Sequence, residues 1–212
     1  MTMRLFVLGA TGNTGTQIVD LALARGHQVT AFVRSPHKIT RQEKALTVIK
    51  GDPLRVDELA RALPGHDAVL SALGPSGLDA FKQSTLLTEC AASTVAAMKT
   101  AGVGRLGIVS AALLFPEKGL RFVFFRWMLQ RHIRDLVSME TVVRATDLDW
   151  TIARPPRLVS SSDEKYRSEP DALPHGAWEM TFRAVAAFQL DSLERGTHVR
   201  EIVGLASSGG DT

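Results

Sequence analysis

A glycine-rich turn near the start of the chain constrains the fold more than any other feature. Three glycines at a three-residue spacing follow directly after the apolar run of residues 5–8, in the stretch Gly9-Ala10-Thr11-Gly12-Asn13-Thr14-Gly15. Residues 16–25 then show the apolar spacing of a helix, which ends at Gly26. A strand, a glycine turn and a helix in this order are typical of the first unit of a parallel α/β sheet.

The alternation of strand and helix patterns continues to residue 154. The remaining predicted strands cover residues 28–33, 47–50, 68–73, 105–110 and 150–154, and the predicted helices cover residues 56–63, 84–100 and 122–146. Strands joined by helices imply right-handed crossovers and a parallel sheet that is covered on both faces. We therefore predict an α/β fold, a Rossmann-like doubly wound parallel sheet.

The glycine turn also predicts a ligand. After a strand and before a helix, glycines at this spacing let the backbone approach a pyrophosphate, toward which the helix N-terminus points. We expect a bound dinucleotide; the alternative is a purely structural turn. NAD sites usually carry an acid about 20 residues beyond the glycines, but no acid occurs between Asp20 and Glu43. Arg34 and Lys38 occupy this region and favour the 2′-phosphate of NADPH over NADH, unless they are a solvated basic loop.

The last third of the chain departs from this alternation. Residues 157–177 are polar and contain two prolines, so we predict a loop, followed by a helix over 181–191 and a strand over 199–205. We predict a single domain over residues 1–212. In it, residues 1–156 form the nucleotide-binding core and residues 157–212 form a small appendage on the substrate side.

The composition excludes several classes of protein. The chain is 45% hydrophobic and 22% charged, and its net charge of +3 is too small to indicate a nucleic-acid partner. Cys90 is the only cysteine, so the chain has no intrachain disulfide, and no metal-ligand spacing occurs. No apolar stretch reaches the roughly 18 residues of a spanning helix. We expect a cytoplasmic protein without an integral membrane segment or a metal.

The motifs as a set carry a resemblance to a known group. They are Gly9-Ala10-Thr11-Gly12-Asn13-Thr14-Gly15, Val33-Arg34, Gly51-Asp52, Ser71-Ala72-Leu73-Gly74, Ala96-Ala97-Met98-Lys99, Val109-Ser110-Ala111 and Arg154-Pro155-Pro156. This set resembles the atypical short-chain dehydrogenases, an NAD(P)H-binding and NmrA-like group. Within the group, the chain is most similar to the branch of the biliverdin-IXβ and flavin reductases, over about residues 3 to 158.

The resemblance implies a role for each matching residue. Between the flanking Gly9, Gly12 and Gly15, the backbone of Thr11, Asn13 and Thr14 would contact the pyrophosphate. Arg34 and Lys38 would bind the 2′-phosphate, Asp52 and Pro53 the adenine edge, and Leu73 and Gly74 the nicotinamide side. Ser110 would lie beside the nicotinamide and the substrate, as the candidate catalytic residue; the alternative is a hydroxyl that caps the next turn.

The position after the two prolines departs from the family. The biliverdin and flavin reductases have a histidine there, whereas this chain has Arg157 after Pro156. A histidine proton donor is therefore absent from this position. Pro156 and Arg157 are predicted to lie against the cofactor, where Arg157 could attract its phosphates or an acidic substrate.

The tyrosine content limits the chemistry. Ordinary short-chain dehydrogenases need a tyrosine with a lysine four residues later, but Tyr166 is the only tyrosine and Pro170 stands four residues on. This absence argues against standard alcohol oxidation and sugar epimerisation. It leaves acceptors that need little enzymatic protonation, such as flavins, quinones or bilins.

An aromatic and basic segment precedes the last long helix. Phe122, Phe125, Leu129, Ile133 and Leu136 share one helical face and are predicted to be core, whereas Phe124 and Trp127 lie on another face. This second face could cover a planar acceptor together with Phe115, form a homodimer contact, or touch a membrane surface.

Two hypotheses for the function follow. The first is an NADPH-dependent reductase of a flavin or similar planar acceptor, with the flavin as a substrate and with Ser110, Phe115 and Trp127 near it. The second is a non-catalytic NADP(H)-binding redox sensor of the NmrA-like type. A reductase needs open space beside Ser110, whereas a sensor can have that space filled.

Overall fold

The computed structural model describes residues 1–74, 85–116 and 128–208. The strands are β1 (Arg4–Leu8), β2 (Gln28–Val33), β3 (Leu46–Lys50), β4 (Ala68–Ser71), β5 (Arg105–Val109), β6 (Asp149–Arg154), β7 (Arg157–Val159), β8 (Tyr166–Pro170), β9 (Glu179–Thr181) and β10 (Glu201–Ser207). The helices are α1 (Asn13–Ala24), α2 (Val56–Ala62), α3 (Leu86–Ala101), α4 (Gln130–Arg144) and α5 (Phe182–Arg195).

Eight of these strands form one sheet. Its order is β3-β2-β1-β4-β5-β6-β10-β8, and every neighbouring pair is parallel except β10 with β8. The chain leaves β1 toward β2 on one side and returns to β4 on the other, which creates the switch point where open α/β sheets bind ligands. The predicted doubly wound parallel sheet is confirmed.

Helices cover both faces of the sheet. α2, α3 and α4 pack together on one face, and α1 packs against α5 on the other. The side chains of β1 show the division, because Phe6 and Leu8 join one apolar cluster while Leu5 and Val7 join the other. Both sets are fully buried, as expected for a central parallel strand.

The predicted loop over residues 157–177 is wrong in part. It contains β7, which pairs with β9 in a separate two-stranded ladder, and β8, which pairs antiparallel with β10 at the edge of the main sheet. An edge strand exposes both its faces to water in part, so the polar sequence of Tyr166–Pro170 has no apolar alternation to reveal it.

The segment after residue 157 also extends the main sheet. β10 pairs with β6, and α5 packs along α1 with nine buried residues. The predicted strand over residues 199–205 begins later, at Glu201, because His198 and Arg200 have positive φ angles of 55° and 57°. Residues in this left-handed conformation cannot continue a strand.

The aromatic and basic segment lies largely outside the described residues. The helix predicted over residues 122–146 is described from Gln130 to Arg144 as α4, on which Leu136 is buried. Phe122, Phe124, Phe125 and Trp127 lie outside the described residues, so the proposed acceptor contact and homodimer contact stay predictions. None of the described helices combines the length and the apolar character that a membrane span requires.

Candidate cofactor and acceptor site

The three positions of the turn differ in why they carry glycine. Gly9 has a φ of +77°, and a Cβ on it would lie 2.6 Å from the carbonyl oxygen of Ala72. A Cβ on Gly15 would collide with the carbonyl oxygen of Gly9. Gly12 is exposed, has an extended backbone, and would place a Cβ 3.4 Å from its nearest neighbour, which is an ordinary contact. Packing therefore requires Gly9 and Gly15, whereas Gly12 leaves open space.

The open space faces the start of α1. Within the described residues, α1 has no side-chain cap and no acid in its first turn. Thr11 and Asn13 are exposed, whereas Thr14 is buried. The first N–H groups of a helix have no acceptor within the helix and carry partial positive charge. The turn therefore fits the pyrophosphate of a dinucleotide, which needs both close backbone approach and free N–H donors.

A basic cleft of about 760 Å³ lies beside this turn, at the carboxyl ends of β2 and β3. Its lining comprises Phe32, Arg34, Ile49, Lys50, Gly51, Asp52, Glu58, Arg61 and Ala62. Arg34 is exposed, and no carboxylate in the described part of the chain pairs with it. Lys38 is exposed in a short 3₁₀ turn, Pro36–Lys38, and is not part of the lining. The cleft therefore offers Arg34 as an unpaired cation.

The floor of the cleft is built by the turn after β3. A Cβ on Gly51 would collide with the ring of Phe32, so only glycine fits there. Oδ1 of Asp52 accepts a hydrogen bond from the N–H of Leu54 at 3.0 Å, and the N–H of Asp52 donates to Glu58 at 2.8 Å. Pro53 is buried. These bonds fix the residues predicted to meet the adenine.

Two cations in the cleft were missed from the sequence. Lys50 ends β3, and its position directly before Gly51 could have pointed to it. Arg61 comes from α2, where it donates a hydrogen bond to Asp57 at 3.1 Å. Its place in the cleft depends on how α2 packs, which no local pattern shows.

A second recess of about 240 Å³ lies at the carboxyl ends of β5 and β6, and we call it the apolar pocket. It is lined by Ala111, Ala112, Leu113, Leu129, Pro155, Pro156, Arg157 and Trp178. Arg157 donates a hydrogen bond to Glu179 of β9 at 2.5 Å, and its side chain is 59% exposed. Pro156 and Arg157, predicted to bind cofactor, therefore lie at the apolar pocket.

The predicted nicotinamide contacts lie after β4. Leu73 is partly buried and packs against the core cluster on the α3 side of the sheet. Gly74 is exposed and is the last described residue before residue 85. A Cβ on Gly74 would have no neighbour within 4 Å in the described structure. Because β4 lies between β1 and β5, these residues stand between the glycine turn and the apolar pocket.

Ser110 and Phe115 are buried and do not line the apolar pocket. Both lie against a polar network formed by Glu140 and Arg154. The Ser110 hydroxyl donates to Oε1 of Glu140 at 2.6 Å, so it does not cap the next turn. Arg154 donates to both oxygens of Glu140, at 3.0 and 2.5 Å, and its guanidinium lies 4.7 Å from the centre of the Phe115 ring. Phe115 is 3% exposed and does not line the apolar pocket, so its contact with an acceptor stays a prediction. Glu140 and Arg154 were not predicted as site residues.

Tyr166 lies away from both recesses. Its hydroxyl donates to Oδ2 of Asp191 at 2.7 Å, and Oδ1 of Asp191 accepts from Arg25, the C-cap of α1. Burial, followed by the bond to Asp191, raises the pKa of the Tyr166 hydroxyl. The glycine turn is at the opposite end of α1, so this tyrosine does not serve as an acid at the nicotinamide.

Comparison with known proteins agrees with this geometry. Residues 9–195 match the family described as NAD(P)H-binding. The chain belongs to this family. The matched residues include the glycine turn, both recesses and α5, and the match confirms the NAD(P)H-binding assignment made from the sequence.

Two curated relatives are similar to this chain over half of its length or more. The photosystem II assembly factor Ycf39 of Synechocystis is 32% identical over 157 residues, which is 71% of this chain and 43% of that protein. The uncharacterised protein YwnB of Bacillus subtilis is 32% identical over 110 residues, 52% of this chain and 48% of YwnB. The chain therefore spans less than half the length of these two curated relatives.

Solved structures share the fold across the whole chain. A short-chain dehydrogenase/reductase from Veillonella parvula in complex with NADP has a TM-score of 0.79 at 20% identity, covering 100% of this chain and 98% of that one. A candidate NADH-flavin reductase from Streptococcus pneumoniae has a TM-score of 0.75 at 23% identity, covering 97% and 100%. At these identities the likeness shows the fold alone.

Proposed function

We propose that this protein is an NADPH-dependent reductase that transfers a hydride to a flavin or a similar planar acceptor, such as a quinone or a bilin. The observation that carries the proposal is the arrangement of two recesses along one edge of the sheet. The basic cleft lies at β2 and β3, the apolar pocket lies at β5 and β6, and the glycine turn follows β1 between them. One dinucleotide bound across the turn can reach both recesses.

The basic cleft supports NADPH as the cofactor. Arg34 is exposed at the end of β2 and has no carboxylate partner among the described residues, at the position where NAD-specific proteins usually carry an acid. A guanidinium binds a phosphate through charge-assisted hydrogen bonds. Lys50 adds a second positive charge to the same cleft.

The apolar pocket supports a planar acceptor. Its walls are alanine, leucine, proline and tryptophan side chains, with Arg157 as the lone charged residue among those that line it in the described structure. Reduced nicotinamide supplies a hydride, which carries two electrons and one proton, and water supplies the second proton. Such acceptors need orientation more than an enzymatic acid. The position of Tyr166 outside both recesses agrees with an acceptor that needs no tyrosine as a proton donor.

One observation favours the second candidate, a non-catalytic NADP(H)-binding redox sensor. The apolar pocket, at about 240 Å³, is smaller than the roughly 300–1,000 Å³ that is usual for small-molecule sites. A sensor needs the basic cleft and the glycine turn but does not need room for an acceptor. The name of the relative Ycf39, an assembly factor, supports this reading for a protein of similar sequence.

Turnover measurements separate the two candidates. We would follow NADPH oxidation with FMN, riboflavin or a quinone as the acceptor, in the wild type and in the variant Leu113→Trp, which fills the apolar pocket. The matched control is Val199→Trp, at an exposed position outside both recesses. The proposal predicts turnover, with a KM for the acceptor raised about tenfold or more in Leu113→Trp and unchanged in Val199→Trp. Tight NADPH binding without turnover of any acceptor would instead establish the sensor.

A further inference from the structure

The buried network at the ends of β5 and β6 fixes the direction of its hydrogen bonds. Glu140 is 3% exposed, and both its oxygens accept from the Arg154 guanidinium. Arginine is permanently charged and can only donate. The carboxylate facing it is therefore an acceptor, and the 2.6 Å bond from Ser110 must be donated by the serine. The single hydroxyl hydrogen of Ser110 is committed to Glu140.

This network stands directly behind the apolar pocket. Residues 111–113, which form one wall, follow Ser110, and residues 155–157, which form the other, follow Arg154. Main-chain bonds link the two segments, from the Ser110 N–H to the Ala153 carbonyl at 2.7 Å and from the Ala112 N–H to the Pro155 carbonyl at 2.8 Å. Glu140 reaches both strand ends from α4 and holds their side chains together.

We propose that Glu140 is a positioning residue that presents Ser110 to a bound ligand as a hydrogen-bond acceptor only. A serine hydroxyl has one hydrogen and two lone pairs, so once the hydrogen is donated to Glu140, only acceptor capacity remains. Ser110 is 8% exposed and directly precedes Ala111, the first residue of the pocket wall. The matching ligand group is an N–H donor. This inference rests on the proposed function, because it takes the apolar pocket as the ligand site.

Two sources could supply that N–H group. One is the carboxamide of the nicotinamide, and the other is the ring imide N–H of a flavin-type acceptor. A carbonyl group, as in a quinone, cannot bond to Ser110 while the hydroxyl hydrogen is held by Glu140. The site therefore selects by the direction of a hydrogen bond as well as by the shape of the pocket.

Two substitutions test the direction of the hydrogen bond at Ser110 without enlarging the side chain. Ser110→Ala removes the acceptor. Glu140→Gln is of equal size, but its amide can donate to the Ser110 oxygen, which releases the hydroxyl hydrogen toward the ligand. Matched controls are Ser192→Ala, where a buried hydroxyl bonds to the Phe188 carbonyl, and Glu194→Gln, where a carboxylate pairs with Arg25. Both controls lie near the end of α5, outside both recesses.

The experiment is equilibrium binding of two matched pairs of probes, measured by calorimetry. The first pair is NADP⁺ and its 3-acetylpyridine analogue, which lacks the carboxamide N–H. The second pair is lumiflavin and 3-methyllumiflavin, which lacks the imide N–H, each added to protein saturated with NADP⁺. We expect the wild type and both controls to prefer the N–H member of one pair about tenfold, and the pair that shows the preference identifies the donor.

The variants decide whether Glu140 acts through Ser110. Ser110→Ala and Glu140→Gln should each abolish the preference, and the double variant should add nothing further. Absence of a preference in the wild type, or a preference that survives in Ser110→Ala, overturns the proposal. So does wild-type protein that binds neither NADP⁺ nor lumiflavin. If Glu140→Gln does not fold, Ser110→Ala still decides. Absence of turnover with the preference intact counts against the reductase function but not against the role of Glu140.

Discussion

A Cβ on Gly15, in the first turn of α1, would collide with the carbonyl oxygen of Gly9. The collision shows that α1 packs against the end of β1 as closely as a glycine allows. Gly12, between them, is exposed, and a Cβ there would meet only an ordinary contact at 3.4 Å. One motif therefore contains glycines required by the protein's own packing and a glycine that leaves space for a ligand.

This division predicts opposite results for two alanine substitutions. Gly15→Ala should lower the free energy of unfolding by about 2 kcal/mol or more, because the backbone must shift. Gly12→Ala should change it by less than about 1 kcal/mol, the usual range for a cap position, and should weaken NADPH binding about tenfold or more. Urea unfolding and calorimetric titration with NADPH measure both effects. Unchanged NADPH affinity in a folded Gly12→Ala protein would show that the pyrophosphate does not bind at this turn.

Arg34 and Lys38 are predicted to differ although both follow β2. Arg34 lines the basic cleft and Lys38 does not, so Arg34→Ala should raise the KM for NADPH by roughly 10–100-fold, the range of a charged hydrogen bond. The KM for NADH should change little, because NADH has no 2′-phosphate. Lys38→Ala is the matched control, with a change below about threefold expected for a solvated cation. Equal losses in the two variants would contradict the placement of the 2′-phosphate at Arg34.

Asp135 of α4 caps a neighbouring helix. Its carboxylate is buried and accepts from the N–H groups of Leu87 and Thr88, both at 3.0 Å, and from the Thr88 hydroxyl at 2.6 Å. Asp135→Ala should therefore lower the free energy of unfolding by about 2–3 kcal/mol, since the start of α3 loses its acceptor. Asp147→Ala, at an exposed position, is the control and should change it by less than about 0.5 kcal/mol. A loss in Asp135→Ala no larger than in the control would mean that the cap contributes nothing.

Cys90 is predicted to be unreactive in the folded protein. It is 3% exposed in α3, and burial, with a smaller effect from Asp52, raises the pKa of its thiol to about 12. At pH 8 only about one thiol in 10⁴ is then ionised, and the thiolate is the reactive form. A thiol-specific disulfide reagent should modify the native protein no faster than it unfolds and should label it at once in concentrated urea. Rapid labelling of the native state, with loss of activity, would show that Cys90 is accessible from the cofactor site.

The sequence allowed the nucleotide-binding half of the fold to be predicted, because its information is local. Buried parallel strands are short apolar runs, and glycines mark their turns, so β1 to β6 and α1 to α3 were found with shifts at their ends. Of the cations in the basic cleft, Arg34 was found, since an arginine where an acid is usual is visible in the sequence, whereas Lys50 and Arg61 were not. These features depend on neighbours a few residues apart.

The remaining features depend on contacts between distant segments. Glu140 and Asp135 are charged residues on an amphipathic helix, and nothing nearby in the sequence distinguishes them from solvated ones. Their burial is set by Arg154, which lies 14 positions from Glu140, and by Thr88, which lies 47 positions from Asp135. The edge strand β8 was missed for a similar reason, because its partner β10 supplies the apolar pattern that β8 lacks.

The most direct test of the central claim is an anaerobic single-turnover experiment. NADPH and FMN are mixed with the protein, and the absorbance of the oxidised flavin is followed with and without protein. The account predicts a protein-dependent loss of flavin absorbance whose rate saturates with FMN and is lower in Leu113→Trp than in Val199→Trp. Full binding of NADPH with no loss of flavin absorbance above the protein-free rate, and none with a quinone, would contradict it and identify the protein as a sensor.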